Sequence, residues 1–569
     1  MFARIIPVVR TPLGVEGFDY HIPFGMSVVV GDLVRIPFRR KPSVGLITQI
    51  LERSPFADRA LSIEGSYANL RLPDTFPSLV HGTAARTFCS PGTVLVSWMR
   101  HLPKKPHSLN IVQNTHKKRG LHGSWMRSPT TALIEEAKTL METHRVLIVS
   151  PWMCLARELG QRLSCPLLHS GLADGEAFLA WTRFLSEETG CLVTTKIGAW
   201  LSIASDIVLL HEPEQDDHKQ DELTPRYDAR KVLLWAAERG LAEVRSYGLT
   251  PPLHAESEAP TIEGDLRLHI HHPQGRSTIP LIQADSLQAL IDHEGPRSII
   301  HPISGSLARI NCRDCAWQAT CPLCTSGLGA EGIQALCRKC RRRFPMPEQC
   351  PQCGGADLSK SLPGIDRLRA LWEKQHPTLI VEWRTTTAET LEAPFPDGCM
   401  VVVTDAAWLA VSEDIRKPER QCIAIRRLLD RIAAVKGILI LQTHERLASC
   451  IEEWLTPKGM KDFVEATREE RARFGYPPSK RVVKILFRDH EEMINAWRVA
   501  VEHSLNAFQI GPVQWRGPLI VPRRPITRGI QRVLHLVLPP SVPESSLIKA
   551  LTPHAKQVTI DLDPVSFLR

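Results

Sequence analysis

Apolar positions change their rhythm several times along the chain, and each change marks a different kind of element. Between residues 2 and 51 the segments ARIIPVV, MSVVVGDLVRIPF and SVGLITQIL are rich in β-branched residues and broken by glycine and proline. That pattern predicts short strands in a small β-domain over residues 1–60. Residues 61–125 are rich in proline, serine and histidine, with weak periodicity, and read as an irregular region. From residue 126 the period lengthens. TTALIEEAKTLMETH reads as a helix and RVLIVSP as a buried strand, and MCLARELGQRL and EAFLAWTRFLSEETG add helices between the strands CPLLHS, CLVTT and DIVLL. Strands alternating with helices predict a parallel sheet, so residues 126–300 form a first α/β unit. A cysteine-rich module at residues 301–360 interrupts the pattern as an insertion, inside or after a second α/β unit. The alternation returns over residues 361–456 with the helix DRLRALWEKQ, the strands TLIVEW and MVVVTD, a long helix at 418–435 and the strand GILILQT. Residues 457–569 carry strands and a helix near 491–508, an α+β C-terminal domain. The predicted class is multidomain α/β.

Composition narrows the function classes. The 569 residues are 43% hydrophobic and 23% charged, as in soluble globular proteins. The net charge of +9 permits a polyanionic partner. No apolar run approaches the roughly 18–20 residues of a membrane span, so no membrane partner is expected. Pro7 and the polar stretch after it do not fit a signal peptide, and the chain is read as cytoplasmic.

Of 15 cysteines, eight fall within 42 residues as four pairs, C-x2-C-x5-C-P-x-C-x12-C-x2-C-x9-C-P-x-C. Two residues between cysteines let both thiolates turn onto one ion, and zinc takes four such ligands in a tetrahedron. Eight cysteines therefore supply two closed, structural zinc sites. Four pairs combine in three ways, and spacing does not choose among them. An interleaved arrangement places Cys312, Cys315, Cys350 and Cys353 on one ion and Cys321, Cys324, Cys337 and Cys340 on the other. Arg313, Arg338, Lys339, Arg341, Arg342 and Arg343 crowd the module with positive charge.

The order of motifs around these cysteines resembles the PriA-type replication restart proteins (primosomal protein N-prime). FDYHIPFGMSVVVGDLVRIPF is similar to the family's N-terminal domain, which binds a DNA 3′ end. LLHSGLADGE, TTKIGAW and HKQDELTPRYDARKV follow the order of the first helicase lobe. PERQCIAIRRLLDRIAAVKG before LILQT resembles the last motif of the second lobe, and RARFGYPPSKR and IDLDPVSFL resemble the C-terminal region. The resemblance implies recognition of stalled or abandoned replication forks and help in reloading the replicative helicase. It also implies a 3′-to-5′ ATP-driven motor, which the residues do not bear out. A phosphate-binding loop needs glycines, a lysine and a following serine or threonine. The matching stretch, GSWMRSPTT at 123–131, keeps only Gly123, and the dipeptide Gly-Lys occurs nowhere in the chain. Where the family carries Asp-Glu-Glu-His, this chain has His211, Glu212, Pro213 and Glu214. Across Arg427–Ala434 one arginine of the last motif, Arg431, remains, while the position of the second holds Ala434. Two degenerate helicase-like lobes are thus expected, with no catalytic residues, no nucleotide-binding residues, and neither ATP nor Mg²⁺ as cofactor.

The resemblance places Phe18 and Asp19 in the pocket for the 3′-terminal nucleotide, the ring stacking on a base and the carboxylate accepting from the 3′-hydroxyl. Arg39 stands where the family has glycine, and Arg39, Arg40 and Lys41 are expected to attract phosphate. Two further basic stretches stand out, Lys104, Lys105, Lys117, Lys118 and Arg119, then Arg516, Arg523, Arg524, Arg528 and Arg532. The winged helix expected after the N-terminal domain is reduced or missing. Implied partners are forked and single-stranded DNA, primosome or helicase-loading proteins, and single-stranded-DNA-binding protein, in a nucleoid-associated setting. Two other readings are a working helicase with a divergent ATP site and an unrelated zinc-ribbon protein that binds nucleic acid.

Overall fold

The computed structural model describes residues 1–99, 102–103, 121–126, 128–221, 223–253, 259–270, 279, 281–302, 308–312, 317, 319–322, 327–331, 333–337, 342–362, 364–386, 393–410, 415–487, 491–521 and 531–567. Lys104, Lys105, Lys117, Lys118, Arg119, Arg313, Cys315, Cys324, Arg338, Lys339, Cys340, Arg341, Arg523, Arg524 and Arg528 lie outside them. The chain divides into two compact units. One is Met1–Gly248 with Ala500–Gly511 and Ser541–Val565; the other is Leu249–Val499 with Pro512–Pro540 and Ser566–Arg569.

In the first unit a five-stranded sheet has the order β2-β1-β4-β3-β5, from β1 (Phe2–Pro7), β2 (Phe18–His21), β3 (Asp32–Phe38), β4 (Lys41–Leu51) and β5 (Gly65–Arg71). The two-residue alternation of a strand sorts its core: Ile5, Val34 and Ile47 pack on one face, Ile6, Leu33 and Leu46 on the other. The sheet therefore runs on to Arg71, past the expected edge at residue 60. Residues 61–125, read as irregular, hold β5 and two helices, α1 (Phe76–Arg86) and α2 (Pro91–Met99). Pro77, Pro91 and Gly92 sit in these helices' first turns, where proline costs no hydrogen bond, and so they blurred the helical period without breaking it.

The second sheet of this unit is parallel, in the order β6-β11-β10-β7-β9-β8, from β6 (Leu121–Trp125), β7 (Arg145–Val149), β8 (Leu167–Leu168), β9 (Gly190–Thr194), β10 (Ile207–His211) and β11 (Glu243–Gly248). Every residue of β7 and β10 is buried, as central parallel strands covered by helices on both faces require. Among the covering helices are α3 (Pro129–Leu140), α4 (Met153–Leu163), α5 (Asp174–Ser186) and α6 (Ala229–Glu238).

The second unit holds a parallel sheet in the order β12-β21-β20-β13-β19, from β12 (Asp265–Ile270), β13 (Arg297–Ile300), β19 (Glu382–Arg384), β20 (Met400–Val403) and β21 (Ile438–Thr443). β12 and β13 precede the cysteines yet pair with β21, β19 and β20, which follow them. The first α/β unit thus ends at Gly248, not at residue 300, and the cysteine module is an insertion within the second. The module is an antiparallel sheet in the order β17-β16-β15-β14-β18, from β14 (Ala308–Cys312), β15 (Leu328–Glu331), β16 (Gln334–Cys337), β17 (Arg343–Pro345) and β18 (Leu358–Leu362). Three antiparallel strands, β22 (Arg481–Phe487), β23 (Gln514–Val521) and β24 (Gln531–Leu538), complete the unit. Among the described residues no helix is long and apolar enough to cross a membrane.

Candidate functional site

The register of β1 against β2 sets Arg4 directly opposite Asp19 and Ile5 opposite Phe18. Directly opposed side chains share a face, so Arg4 closes on the Asp19 carboxylate, with Nε at 2.9 Å from Oδ1 and Nη2 at 3.3 Å from Oδ2. Ser54 Oγ donates to Oδ2 at 2.6 Å and accepts from the Phe56 amide at 3.0 Å. Burial alone would raise the Asp19 pKa. The hydrogen bonds from Arg4 and Ser54, with the Arg4 charge, outweigh it and hold the carboxyl below its ordinary value. The Asp19 side chain is 1% exposed and that of Arg4 is 38% exposed, so Arg4 is the member of the pair that meets solvent.

Phe18, on the opposite face, is partly exposed and meets Phe38 edge-to-face at 5.3 Å. Phe38 pairs with Lys41 at the end of the β3–β4 hairpin, so Arg39 and Arg40 are the whole turn. Both have positive φ, 49° and 61°, the left-handed conformations of a two-residue hairpin turn. Glycine adopts these freely; arginine accepts them at about 1 kcal/mol each. The Arg39 guanidinium lies 5.4 Å from the centre of the Phe38 ring. A continuous stack thus runs from Arg39 through Phe38 to Phe18. It unites two of the sequence-predicted residues through a third that the sequence reading did not single out. Arg40 and Lys41 are exposed beside it. Arg4 and Ser54 were also missed, because only strand register brings them to Asp19.

In the cysteine module the sulfurs of Cys312, Cys350 and Cys353 all lie within 4.8 Å of one another, with Cys312 and Cys353 at 3.6 Å. A disulfide needs about 2.05 Å. Two thiolates sharing a tetrahedral zinc at about 2.3 Å stand about 3.8 Å apart, so these three residues fit a metal centre. The chain builds that convergence locally. Gly354, at φ 75°, turns the 350–353 knuckle, and its amide bonds Cys350 O at 2.8 Å. Cys321 and Cys337 are buried together in a small core with Ile310, Ala319, Leu328 and Ala335. Arg342 and Arg343 are exposed.

At the carboxyl end of β10 a hydrogen-bond network gathers around two buried histidines. His211, fully buried at the end of β10, accepts or donates on both ring nitrogens: Thr130 Oγ1 lies 2.9 Å from Nε2 and Ser150 Oγ 3.3 Å from Nδ1. Thr130 comes from the first turn of α3, which opens on Pro129 and so offers no N–H there to a phosphate. His218 bonds the carbonyls of His211 and Glu212, at 2.9 and 3.2 Å. Ligands of open α/β sheets bind at the carboxyl ends of the strands, and here that space is spanned by hydroxyl–imidazole bonds. Among the described residues His211, Asp216, Asp217 and His218 do not gather into a metal-ligand set.

Burial drives the pKa of His218 down to about 3 and that of His535 to about 4. Both stay neutral in the fold but take a proton at about 6.5 when unfolded. Below that value the unfolded chain binds more protons, so stability falls with pH. The expected slope is about 1.4 kcal/mol per pH unit per histidine until the folded values are reached. Urea unfolding between pH 7 and 4.5 measures it; a flat profile contradicts it.

Two motifs far apart in sequence meet in the first unit. Lys219, of HKQDELTPRYDARK, sets Nζ 2.5 Å from Asp561 Oδ1, of IDLDP, with both side chains 2% exposed. Lys219 also donates to Asp563 O. Arg86 pairs with Glu544 and Asp563. Asp228 caps α6 by accepting from the Arg230 amide at 2.9 Å.

Residues 8–99 match the family model described as a 3′DNA-binding domain. The chain is 21% identical over 466 residues to the replication restart protein PriA of Thermotoga maritima, covering 72% of this chain and 63% of that one. It is 21% identical to the proteins of that name from Helicobacter pylori, over 75% of this chain and 76% of the relative, and Haemophilus influenzae, over 71% and 62%. The Thermotoga and Haemophilus matches thus span just under two thirds of the relative's length.

Proposed function

The chain is a relative of the PriA-type replication restart proteins, and from that premise we propose that it is a DNA-binding restart protein which recognises abandoned forks and acts by binding, without ATP-driven unwinding. The observation that carries the reading is the Arg39–Phe38–Phe18 stack, inside the segment that matches a 3′DNA-binding domain. An exposed ring takes a terminal base on its face, and Arg39, Arg40 and Lys41 offer cations to the adjoining phosphates. Asp19 acts chiefly by fixing Arg4 and Ser54. Phe18→Ala is expected to weaken binding to a fork with a free 3′ end about tenfold and to leave duplex binding unchanged, read by fluorescence anisotropy.

Zinc bound by the cysteine module would supply structure rather than chemistry. Cys312, Cys315, Cys350 and Cys353 hold one ion and Cys321, Cys324, Cys337 and Cys340 the other, fixing the sheet that presents Arg342 and Arg343. Primosome or helicase-loading proteins and single-stranded-DNA-binding protein are the partners this role calls for, in the nucleoid-associated cytoplasm.

The bonds from Thr130 and Ser150 to His211 support the loss of the motor. A threonine and an acid at those positions would hold magnesium and nucleotide; here the threonine is engaged by an imidazole. With forked DNA, Mg²⁺ and ATP, no phosphate release above the buffer rate is expected. Fork-stimulated hydrolysis would restore the reading of a helicase with a divergent ATP site.

A further inference from the structure

In the second unit cations converge on an exposed aromatic. The helix Pro457–Phe474 ends at Gly475, whose φ of 65° is the left-handed turn that glycine favours at a helix C-terminus. The Tyr476 amide bonds Arg471 O at 2.8 Å, and Ser479 Oγ bonds Tyr476 O at 2.8 Å, fixing the turn. It holds Phe474 half in solvent, 50% exposed. The Arg473 guanidinium lies over the Phe474 ring at 5.4 Å. From β23, Arg516 donates Nη2 to Phe474 O at 2.7 Å and lies over the Tyr476 ring at 4.8 Å. Lys480 is exposed on the same turn, and a Cβ built on Gly475 would stand 2.7 Å from Arg516 Nη2 and 3.7 Å from Lys480 Cγ. Arg471, by contrast, is buried and paired with Glu419. Among the described residues Arg473, Lys480 and Arg516 pair with no carboxylate. Glu469 and Glu470 are exposed earlier on the helix.

We propose that Phe474, Tyr476, Arg473, Lys480 and Arg516 form a binding site for single-stranded nucleic acid, separate from the N-terminal pocket. A base stacks on the Phe474 ring, and the backbone phosphates on either side lie against Arg473, Lys480 and Arg516. A flat ring between unpaired cations suits a base flanked by phosphates, since every base offers a π-face and the strand brings a charge with each nucleotide. The site reads base faces and phosphates, and so makes no demand on a strand end. It rests on the reading of the chain as a DNA-binding protein but not on recognition of the 3′ end.

The test uses the full zinc-loaded chain and a labelled circular oligodeoxythymidine, which has no 3′ end. The wild type is expected to bind the circle. Phe474→Ala is expected to bind about tenfold more weakly, and Phe474→Trp to keep the affinity. The double variant Arg473→Ala/Lys480→Ala should lower the salt slope of binding by roughly 1.4, about 0.7 for each lost phosphate contact. Thermal melts of the variants, matched to the wild type, exclude misfolding. The proposal is overturned if Phe474→Ala binds the circle as tightly as the wild type. It is overturned too if the wild type binds a linear fork but not the circle, a result that leaves 3′-end recognition standing. If oligoglutamate displaces the circle equally from wild type and Phe474→Ala, the patch is a protein-docking surface and the proposal falls.

Discussion

Purified under reducing conditions, the chain is expected to carry two zinc ions, and Cys312→Ser/Cys350→Ser to lose one of them and keep the other. The reason is the convergence of Cys312, Cys350 and Cys353, sulfurs within 4.8 Å, across 41 residues of sequence. If each ion were held by neighbouring pairs in sequence, Cys312 and Cys350 would serve different ions and the double variant would lose both. The third pairing gives the same total loss, so retention of one ion decides among all three. Chelating both ions should unfold the module, because its own core is small: Ile310, Ala319, Leu328 and Ala335 with two of the cysteines themselves. Structural zinc supplies about 10–16 kcal/mol to such folds at neutral pH, far above what that core offers. Zinc release read with a colorimetric chelator, beside limited proteolysis across residues 308–362, measures both effects. Proteolysis unchanged by chelation would show that the module folds without metal.

The second large effect concerns Lys219 and Asp561. Removing one partner of a fully buried ion pair leaves the other charge without compensation, and the cost is typically 3–5 kcal/mol. Lys219→Met and Asp561→Asn are each expected to destabilise the chain by about that much, lowering the first unit's melting midpoint by on the order of 10 °C. The double variant Lys219→Met/Asp561→Leu should recover most of the loss, since two apolar side chains leave no stranded charge. Scanning calorimetry of the three variants distinguishes this from simple loss of packing. Single variants within 1 kcal/mol of wild type would mean that the pair is solvated in solution.

The meeting of Cys312 with the Cys350–Cys353 knuckle was legible in sequence as one of three pairings, because two residues between cysteines make the knuckle's chemistry local. The buried strands Arg145–Val149 and Ile207–His211 were legible because each is a continuous run that only a covered parallel sheet tolerates. The pairing of Arg4 and Ser54 with Asp19 was not, for it depends on strand register and on a loop 35 residues downstream. The end of the first α/β unit, expected at residue 300 and found at Gly248, was hidden for a similar reason. Asp265–Ile270 and Arg297–Ile300 find their sheet partners beyond the module, and sequence order hides a strand order that crosses it. The absence of a Gly-Lys dipeptide could be read off the chain. The Thr130–His211 bond could not, since it joins positions 81 apart that neither composition nor periodicity connects.

Equilibrium binding of the zinc-loaded protein at one fixed salt, to a fork with a free 3′ leading-strand end, the same fork with that end blocked, and plain duplex, bears most directly on the account. Salt is held because phosphate contacts dominate raw affinity. The expected order is free-end fork tightest, blocked fork weaker, duplex weakest. Equal binding to all three would contradict fork recognition.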